Sequence, residues 1–146
     1  MNTVDVKIFS VNDSPLPQYA TPDSNGLDLL ANITEPITLG KYQRVLVPCG
    51  IKIEMPSGYA AWVTPRSGLA LKHGVTVTNS PGLIDNGFRG EIAVILENLN
   101  DLPFIIEPNM RVAQLVVVEL PRIQWIEVDQ LGESVRGENG YGSTGF

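Results

Sequence analysis

The feature of this sequence that most constrains its fold is a two-residue alternation of apolar and polar side chains. Residues 4–8, 51–54 and 75–78 place valine or isoleucine at every second position. Successive side chains of a strand lie on opposite faces of a sheet, so each segment predicts a strand with one buried face. Further strands are predicted at residues 44–47, 59–64, 91–96, 104–106, 111–119 and 123–128.

Turn sequences separate these segments at close intervals. They are PLP at 15–17, PSG at 56–58, NG at 86–87 and PN at 108–109. Residues 67–72 predict one short helical turn, which Gly74 would end. A chain of 146 residues is long enough for one domain with its own core. The pattern therefore predicts an all-β, jelly-roll-like barrel or sandwich of many short strands.

The charge balance and the rare residue types exclude several kinds of function. Lys+Arg 10 against Asp+Glu 16 gives a net charge of −6, whereas binding a nucleic-acid polymer needs clustered basic residues. One cysteine and one histidine exclude an intramolecular disulfide and zinc sites built from several such residues. We expect Cys49 to pack as a small apolar residue and His73 to cap a helix or lie on the surface.

The sequence shows no targeting or membrane segment. The N-terminus lacks a basic region followed by an apolar one, which argues against a secretory signal. The longest apolar stretch, near residues 115–118, is far shorter than the roughly 20 residues that span a bilayer. We expect a soluble, cytoplasmic protein without membrane association.

Three segments hold more polar and glycine residues than strands require. Residues 65–68 open the predicted helix, where backbone N–H groups and Arg66 would receive an anion, although the same residues form ordinary turns. In residues 79–91, Asp85 follows two apolar residues and is either a partly buried general base or an Asx-turn residue. Residues 136–145 combine glycines, arginine and hydroxyls, as a phosphate-wrapping loop does, but without the lysine of a P-loop.

The last fifteen residues differ from the rest of the chain. Five of the residues from 132 to 146 are glycine, and no strand pattern continues there. Such a tail is either frayed or a lid that closes over a ligand. We therefore divide the chain into a β-domain at residues 1–131 and a glycine-rich C-terminal lid at residues 132–146.

The order of five motifs resembles the trimeric, all-β family of deoxyuridine triphosphate nucleotidohydrolases (dUTPases). The motifs are GLDL at 26–29, PRSGLA at 65–70, NSPGLIDNGFRGE at 79–91, RVAQL at 111–115 and the glycine-rich tail from 136. The resemblance implies a jelly-roll protomer in a homotrimer, with active sites where subunits meet. It also implies hydrolysis of dUTP to dUMP and pyrophosphate.

The resemblance assigns roles to single residues. Asp85 matches the carboxylate that deprotonates the water attacking the α-phosphorus. Mg2+ would be held by the three phosphates, with Asp28 contacting it through water. The phosphate contacts would come from Arg66, Ser67, Gly68 and Gln114, and from the tail residues Arg136, Gly142, Ser143 and Thr144, which close over the γ-phosphate.

The base and the sugar would be read by the third motif. The uracil hairpin would comprise residues 79–84, including Asn79, Gly82, Leu83 and Ile84, with Ala93 on the return strand. Phe88 stands where the family usually has a tyrosine whose ring packs under the deoxyribose and excludes a 2′-hydroxyl. Tyr141 replaces the phenylalanine that stacks on uracil. Asn25 and Gly87 are smaller departures from the family pattern.

Two other functions are compatible with the same broad fold. One is deamination of dCTP, against which the uracil hairpin and the fifth motif argue. The other is a regulator that binds a protein partner, for which an inserted segment or a damaged site would be expected. The sequence has neither.

Overall fold

The computed structural model describes residues 3–140, and most of their regular structure is β-strand. The strands are β1 (Lys7–Ser10), β2 (Leu27–Leu30), β3 (Ile37–Leu39), β4 (Arg44–Pro48), β5 (Ile51–Glu54), β6 (Tyr59–Thr64), β7 (Val75–Val77), β8 (Gly82–Ile84), β9 (Ala93–Asn98), β10 (Phe104–Ile106) and β11 (Arg111–Glu119). One helix, α1 (Ser67–His73), follows β6, and a 3-10 turn follows β1. The all-β prediction with one short helical turn is confirmed.

The strands form small antiparallel sheets around one core. The largest sheet has the order β2-β11-β6-β8, and a second has the order β4-β9-β7. Strand β1 pairs with β5, and β10 pairs with β3. In β9 every second residue, Val94, Leu96 and Asn98, is buried. The alternation that predicted strands therefore also marks the residues that build the core.

A buried asparagine joins three segments beside the core. Asn98 Nδ2 donates to the carbonyls of Leu39 at 2.9 Å and Leu102 at 2.8 Å, and its Oδ1 accepts from the N–H of Asn100 at 2.9 Å. These bonds satisfy the buried amide, as burial of a polar group requires. They connect the ends of β3 and β9 to the loop that leads into β10.

Helix α1 ends where the sequence predicts. Gly74 has a φ of 64°, in the left-handed region, and its N–H donates to the carbonyls of Ala70 and Leu69. Glycine adopts this conformation without the cost of a Cβ, which explains why the helix stops there. His73 lies in the last turn of α1 and its ring lies 5.2 Å from that of Phe104.

The lone cysteine packs as predicted. Cys49 is buried next to β4, with 3 % of its surface exposed. Burial, with a smaller contribution from the Glu91 carboxylate, raises the pKa of the Cys49 thiol to about 12. The thiol therefore stays protonated at neutral pH and acts as a small apolar residue.

Several strand predictions need correction. Residues 123–128 form no strand, and Ile123 and Trp125 are 73 % and 86 % exposed, because no strand of the described chain pairs with them. The first strand begins at Lys7 rather than at residue 4, since its partner β5 ends at Glu54, the residue opposite Lys7, two residues before Pro56. Strand β9 starts two residues later than predicted. The sequence does not predict strands β2, β3 and β8, which are defined by their pairing with the distant strands β11, β10 and β6.

Candidate active site

Strand β11 brings the first, second and fourth motifs together. It lies between β2 and β6, so Gln114 is the direct partner of Asp28 on one side and of Thr64 on the other. Arg66 follows two residues after Thr64, at the start of α1. Opposed residues in an antiparallel sheet project from the same face, so three separate sequence segments meet at one point.

Gln114 is held in place from two sides. Its Nε2 donates to the carbonyl of Pro65 at 3.3 Å, which joins β11 to the segment entering α1. A Cβ on Gly26 would lie 2.6 Å from Gln114 Oε1. Glycine in the first motif therefore leaves the space that the Gln114 side chain occupies.

Asp28 pairs with two arginines. Its Oδ1 lies 3.0 Å from Arg66 Nε, and its Oδ2 lies 3.5 Å from Arg111 Nη1. Arg66 Nη1 also donates to the backbone carbonyl of Arg111 at 3.2 Å. The Asp28 side chain is only 15 % exposed, so its attraction to both guanidinium groups is less screened than at an open surface. The carboxylate thus fixes the direction in which Arg66 points.

These residues line a pocket of about 440 Å³. We call Asp28, Arg66, Ser67, Gly68 and Gln114 the sheet-end group, and all of them line this pocket. Ser67 and Gly68 are the first two residues of α1, where backbone N–H groups have no partner within the helix. Free N–H groups beside Arg66 are suited to binding an anion.

The pocket also contains residues that the sequence did not single out as site residues. Lys72 and His73 line it from the last turn of α1, and Ser24 from the loop before β2. Lys72 lies four positions after Gly68, so both are on one face of the helix. The four-residue spacing from Gly68 could have identified Lys72 as a candidate pocket residue from the sequence. His73 was expected only to cap the helix or lie on the surface.

The third-motif residues lie elsewhere, on and around β8. We call Asn79, Gly82, Leu83, Ile84, Asp85, Phe88 and Ala93 the hairpin group. Strand β8 pairs with β6 through Leu83 opposite Trp62, and it is the edge of its sheet. Asn79 packs on Gly82, where a Cβ would lie 3.2 Å from Asn79 Nδ2. No residue of the hairpin group lines the pocket that the sheet-end group lines.

Asp85 begins the turn that follows β8. Its carbonyl accepts the N–H of Phe88 at 3.0 Å, which closes the turn. The residue is exposed rather than partly buried, because β8 is an edge strand with the turn beyond it. Within residues 3–140 the Asp85 carboxylate makes no side-chain hydrogen bond, so the Asx-turn interpretation is not supported.

The described part of the tail folds only on itself. Arg136 Nε donates to the carbonyl of Asn139 at 2.8 Å, and Nη2 to that of Gly140 at 3.3 Å. Every residue from 119 to 140 is exposed. The predicted site residues Tyr141, Gly142, Ser143 and Thr144 lie outside the described residues.

Two features, a metal-binding cluster and a membrane-spanning helix, are absent from the described residues. Between residues 3 and 140, no three His, Cys, Asp or Glu side chains are grouped so that they could hold a metal ion. The same stretch contains no helix of the length and apolar character needed to cross a membrane.

The fold and the pocket define a class of β-domain that binds anions at one end of its largest sheet. The family model described as dUTPase matches residues 12–145. A deoxyuridine 5′-triphosphate nucleotidohydrolase of Fusobacterium nucleatum is 46 % identical over 145 residues, with 99 % of each chain covered. One of Chlamydia pneumoniae is 55 % identical over 131 residues, which covers 89 % of this chain and 90 % of the relative. The chain belongs to the dUTPase family.

Solved structures share the fold at low sequence identity. A variant dUTPase of Staphylococcus bacteriophage 80alpha with dUpNHpp superposes with a TM-score of 0.86, at 21 % identity, covering 99 % of this chain and 100 % of the other. A variant dUTPase of phage phi11 of S. aureus, described as coordinating a structural Mg(II) ion, has a TM-score of 0.79 at 17 % identity, covering 88 % and 99 %. Both support the all-β architecture.

Replacing Asp28 tests the ion-pair arrangement. Asp28→Asn keeps the shape of the side chain but removes its charge, leaving Arg66 and Arg111 without a counter-ion. We expect the free energy of unfolding to fall by about 1–3 kcal/mol, measured by urea denaturation at one protein concentration. The control is Asp23→Asn, at an exposed carboxylate in the loop before β2. Equal stability changes in the two variants would contradict the arrangement.

Proposed function

We propose that this chain hydrolyses dUTP to dUMP and pyrophosphate. Such activity limits incorporation of uracil into DNA and supplies dUMP for dTMP synthesis. The observation that carries the proposal is the meeting of Asp28, Arg66 and Gln114 in one pocket, in a chain whose family and relatives are dUTPases. The pocket offers a guanidinium and free backbone N–H groups, which are the donors that phosphates require.

In this proposal Asp85 acts as the general base. A carboxylate accepts the proton of the attacking water and needs no covalent intermediate. Its exposure at the end of β8 leaves it accessible to a water molecule and a phosphate. Arg66, Ser67, Gly68 and Gln114 would bind the phosphates, so that the water meets the α-phosphorus and pyrophosphate leaves.

Uracil would be read by the open edge of β8. The strand pairs with β6 along one edge, and within the described chain no strand covers the other. The backbone N–H and C=O groups of that edge are available to a base. A base with the wrong donor and acceptor pattern, such as cytosine, would leave polar groups unpaired, and a 5-methyl group would meet the hairpin. Ala93 on β9 would complete this side of the site.

Mg2+ is the proposed cofactor, and the donor set supports a particular way of holding it. Asp28 is the only carboxylate that lines the described pocket, and both of its oxygens face arginines. Mg2+ retains several waters and is commonly bound through substrate phosphates. The residues therefore fit an ion that arrives with the triphosphate and contacts Asp28 through water. When bound, it would neutralise phosphate charge.

We further propose a homotrimer in which two subunits share each site. None of three pockets on the described part of the chain is lined by residues of both the sheet-end group and the hairpin group, which is the arrangement expected if neighbouring copies bring the two groups together. Ile123, Trp125, Ile126 and Leu131 are each at least 73 % exposed. Large apolar side chains exposed in one segment mark a protein interface. Packing of residues 120–131 on another copy would cover them.

Residues 132–146 are proposed as the lid over the bound triphosphate. Arg136 now donates to neutral carbonyls of its own turn, and these acceptors would be exchanged for negatively charged phosphate oxygens. Tyr141, Gly142, Ser143 and Thr144 keep the roles expected from the motif. Ordering of a glycine-rich segment costs conformational entropy. Attraction between Arg136 and the γ-phosphate would offset that cost, so closure would depend on the charge of the γ-phosphate.

Substrate specificity tests the proposal directly. Pyrophosphate release is measured from dUTP, dTTP, dCTP and UTP, with and without Mg2+. We expect rapid release from dUTP with Mg2+ and at least about a hundredfold lower kcat/KM for the others. Cytosine would leave polar groups of the site unpaired, the 5-methyl group of dTTP would meet the hairpin, and the 2′-hydroxyl of UTP would meet the Phe88 ring. Absence of release from dUTP would refute the function, and ammonia release from dCTP would favour a deaminase.

The role of Asp85 is tested by Asp85→Asn, which keeps its shape but cannot take a proton. We expect kcat to fall at least about a hundredfold, whereas Kd for a non-hydrolysable dUTP analogue stays within about threefold. Asp5→Asn, at an exposed carboxylate before β1, outside both residue groups and outside residues 120–131, is the matched control. Turnover at the normal rate would show that another group is the base.

The lid is tested by two truncations, one ending at residue 135 and one at residue 140. We expect both to lower kcat/KM at least about tenfold and the shorter chain to lose more, because it also lacks Arg136. Light scattering should give an unchanged oligomer mass, because all described strands precede residue 120. Unchanged turnover by both chains would refute the lid.

A further inference from the structure

The ring of Phe88 lies over the backbone of Gly90. A Cβ placed on Gly90 would lie 2.5 Å from Phe88 Cζ, 2.9 Å from Cε2 and 3.3 Å from Cε1. The φ of Gly90 lies outside the left-handed region, so the backbone conformation does not require glycine. With the Phe88 ring in this position, the limited space beneath it does require glycine at residue 90.

The backbone around Phe88 is fixed independently of its ring. The Phe88 N–H donates to the Asp85 carbonyl at 3.0 Å. Arg89 Nη1 donates to the carbonyls of Asn86 at 2.6 Å and Phe88 at 2.9 Å. With the turn held on both sides, the position of the ring depends on what it packs against. Because Phe88 is 44 % exposed, a displaced ring has solvent to move into.

We propose that Gly90 is a positioning residue for sugar selection, acting through Phe88. The inference rests on the proposed function and on the role that the motif resemblance gives Phe88, whose ring would pack under the deoxyribose. A 2′-hydroxyl facing the ring finds no hydrogen-bond partner and too little room. Carbon atoms in contact lie about 3.5–4.0 Å apart, so a methyl group at residue 90 displaces the end of the ring by roughly 1 Å or more. The ring then leaves the position from which it would exclude the hydroxyl.

The experiment compares kcat/KM for dUTP and UTP in Gly90→Ala, Phe88→Ala, the double variant and Gly87→Ala. Gly87 lies in the same turn, also has a φ outside the left-handed region, and has nothing within 4 Å of an added Cβ, which makes it the matched control. We expect Gly90→Ala and Phe88→Ala each to lower the dUTP-to-UTP ratio about tenfold, and Gly87→Ala to keep it. In the double variant the ratio should equal that of Phe88→Ala alone.

Every outcome decides the proposal. An unchanged ratio in Gly90→Ala or in Phe88→Ala overturns it, as does a second, additive loss in the double variant. If Gly90→Ala is inactive with both nucleotides, recovery of dUTP turnover on adding Phe88→Ala supports the proposal, and failure to recover overturns it. If the unmodified chain releases no pyrophosphate from dUTP, the proposed function itself fails, which is a different result.

Discussion

The site depends on the antiparallel pairing of β11 with β2 and β6. This register places Gln114 opposite Asp28 and Thr64, and it fixes where Arg66 starts α1. A shift of one residue would turn Gln114 to the other face of the sheet and separate it from Asp28. The apolar alternation of β11, with Ala113 and Leu115 buried and Val117 packed against the core, opposes such a shift. The register that packs the core therefore also positions the residues of the site.

The sheet-end group and the hairpin group lie in different parts of the fold, and this separation bears on how copies of the chain would assemble. Under the proposed function, the phosphate donors of the sheet-end group and the base-reading edge of β8 with Asp85 would have to come from different copies of the chain, because none of three pockets on the described residues contains both. Association of copies would unite the two groups and would cover Ile123 and Trp125. The net charge of −6 is then no obstacle to an anionic substrate, since Arg66 and Arg111 concentrate positive charge locally.

The sequence predicted the bounds of several strands and the end of the helix. Strands β6, β10 and β11 have the predicted bounds, and Gly74 ends α1, because alternation and glycine act locally. Short strands such as β8 depend on their partners, and no local pattern reveals them. The exposure of Asp85 follows from the edge position of β8, and the pairing of Asp28 with Arg111 from register. Residues 123–128 have a strand pattern but no partner within the described chain.

Mixing two inactive variants measures most directly whether sites are shared between chains. Asp85→Asn and Arg66→Ala chains are co-expressed with different tags, and assemblies that carry both tags are purified. If each site takes Arg66 from one subunit and Asp85 from its neighbour, one of the three sites in every mixed trimer is intact, and activity returns to about a third of that of the unmodified protein. If each chain holds a complete site, every site carries one lesion. Activity no higher than that of the separate variants would then contradict the account.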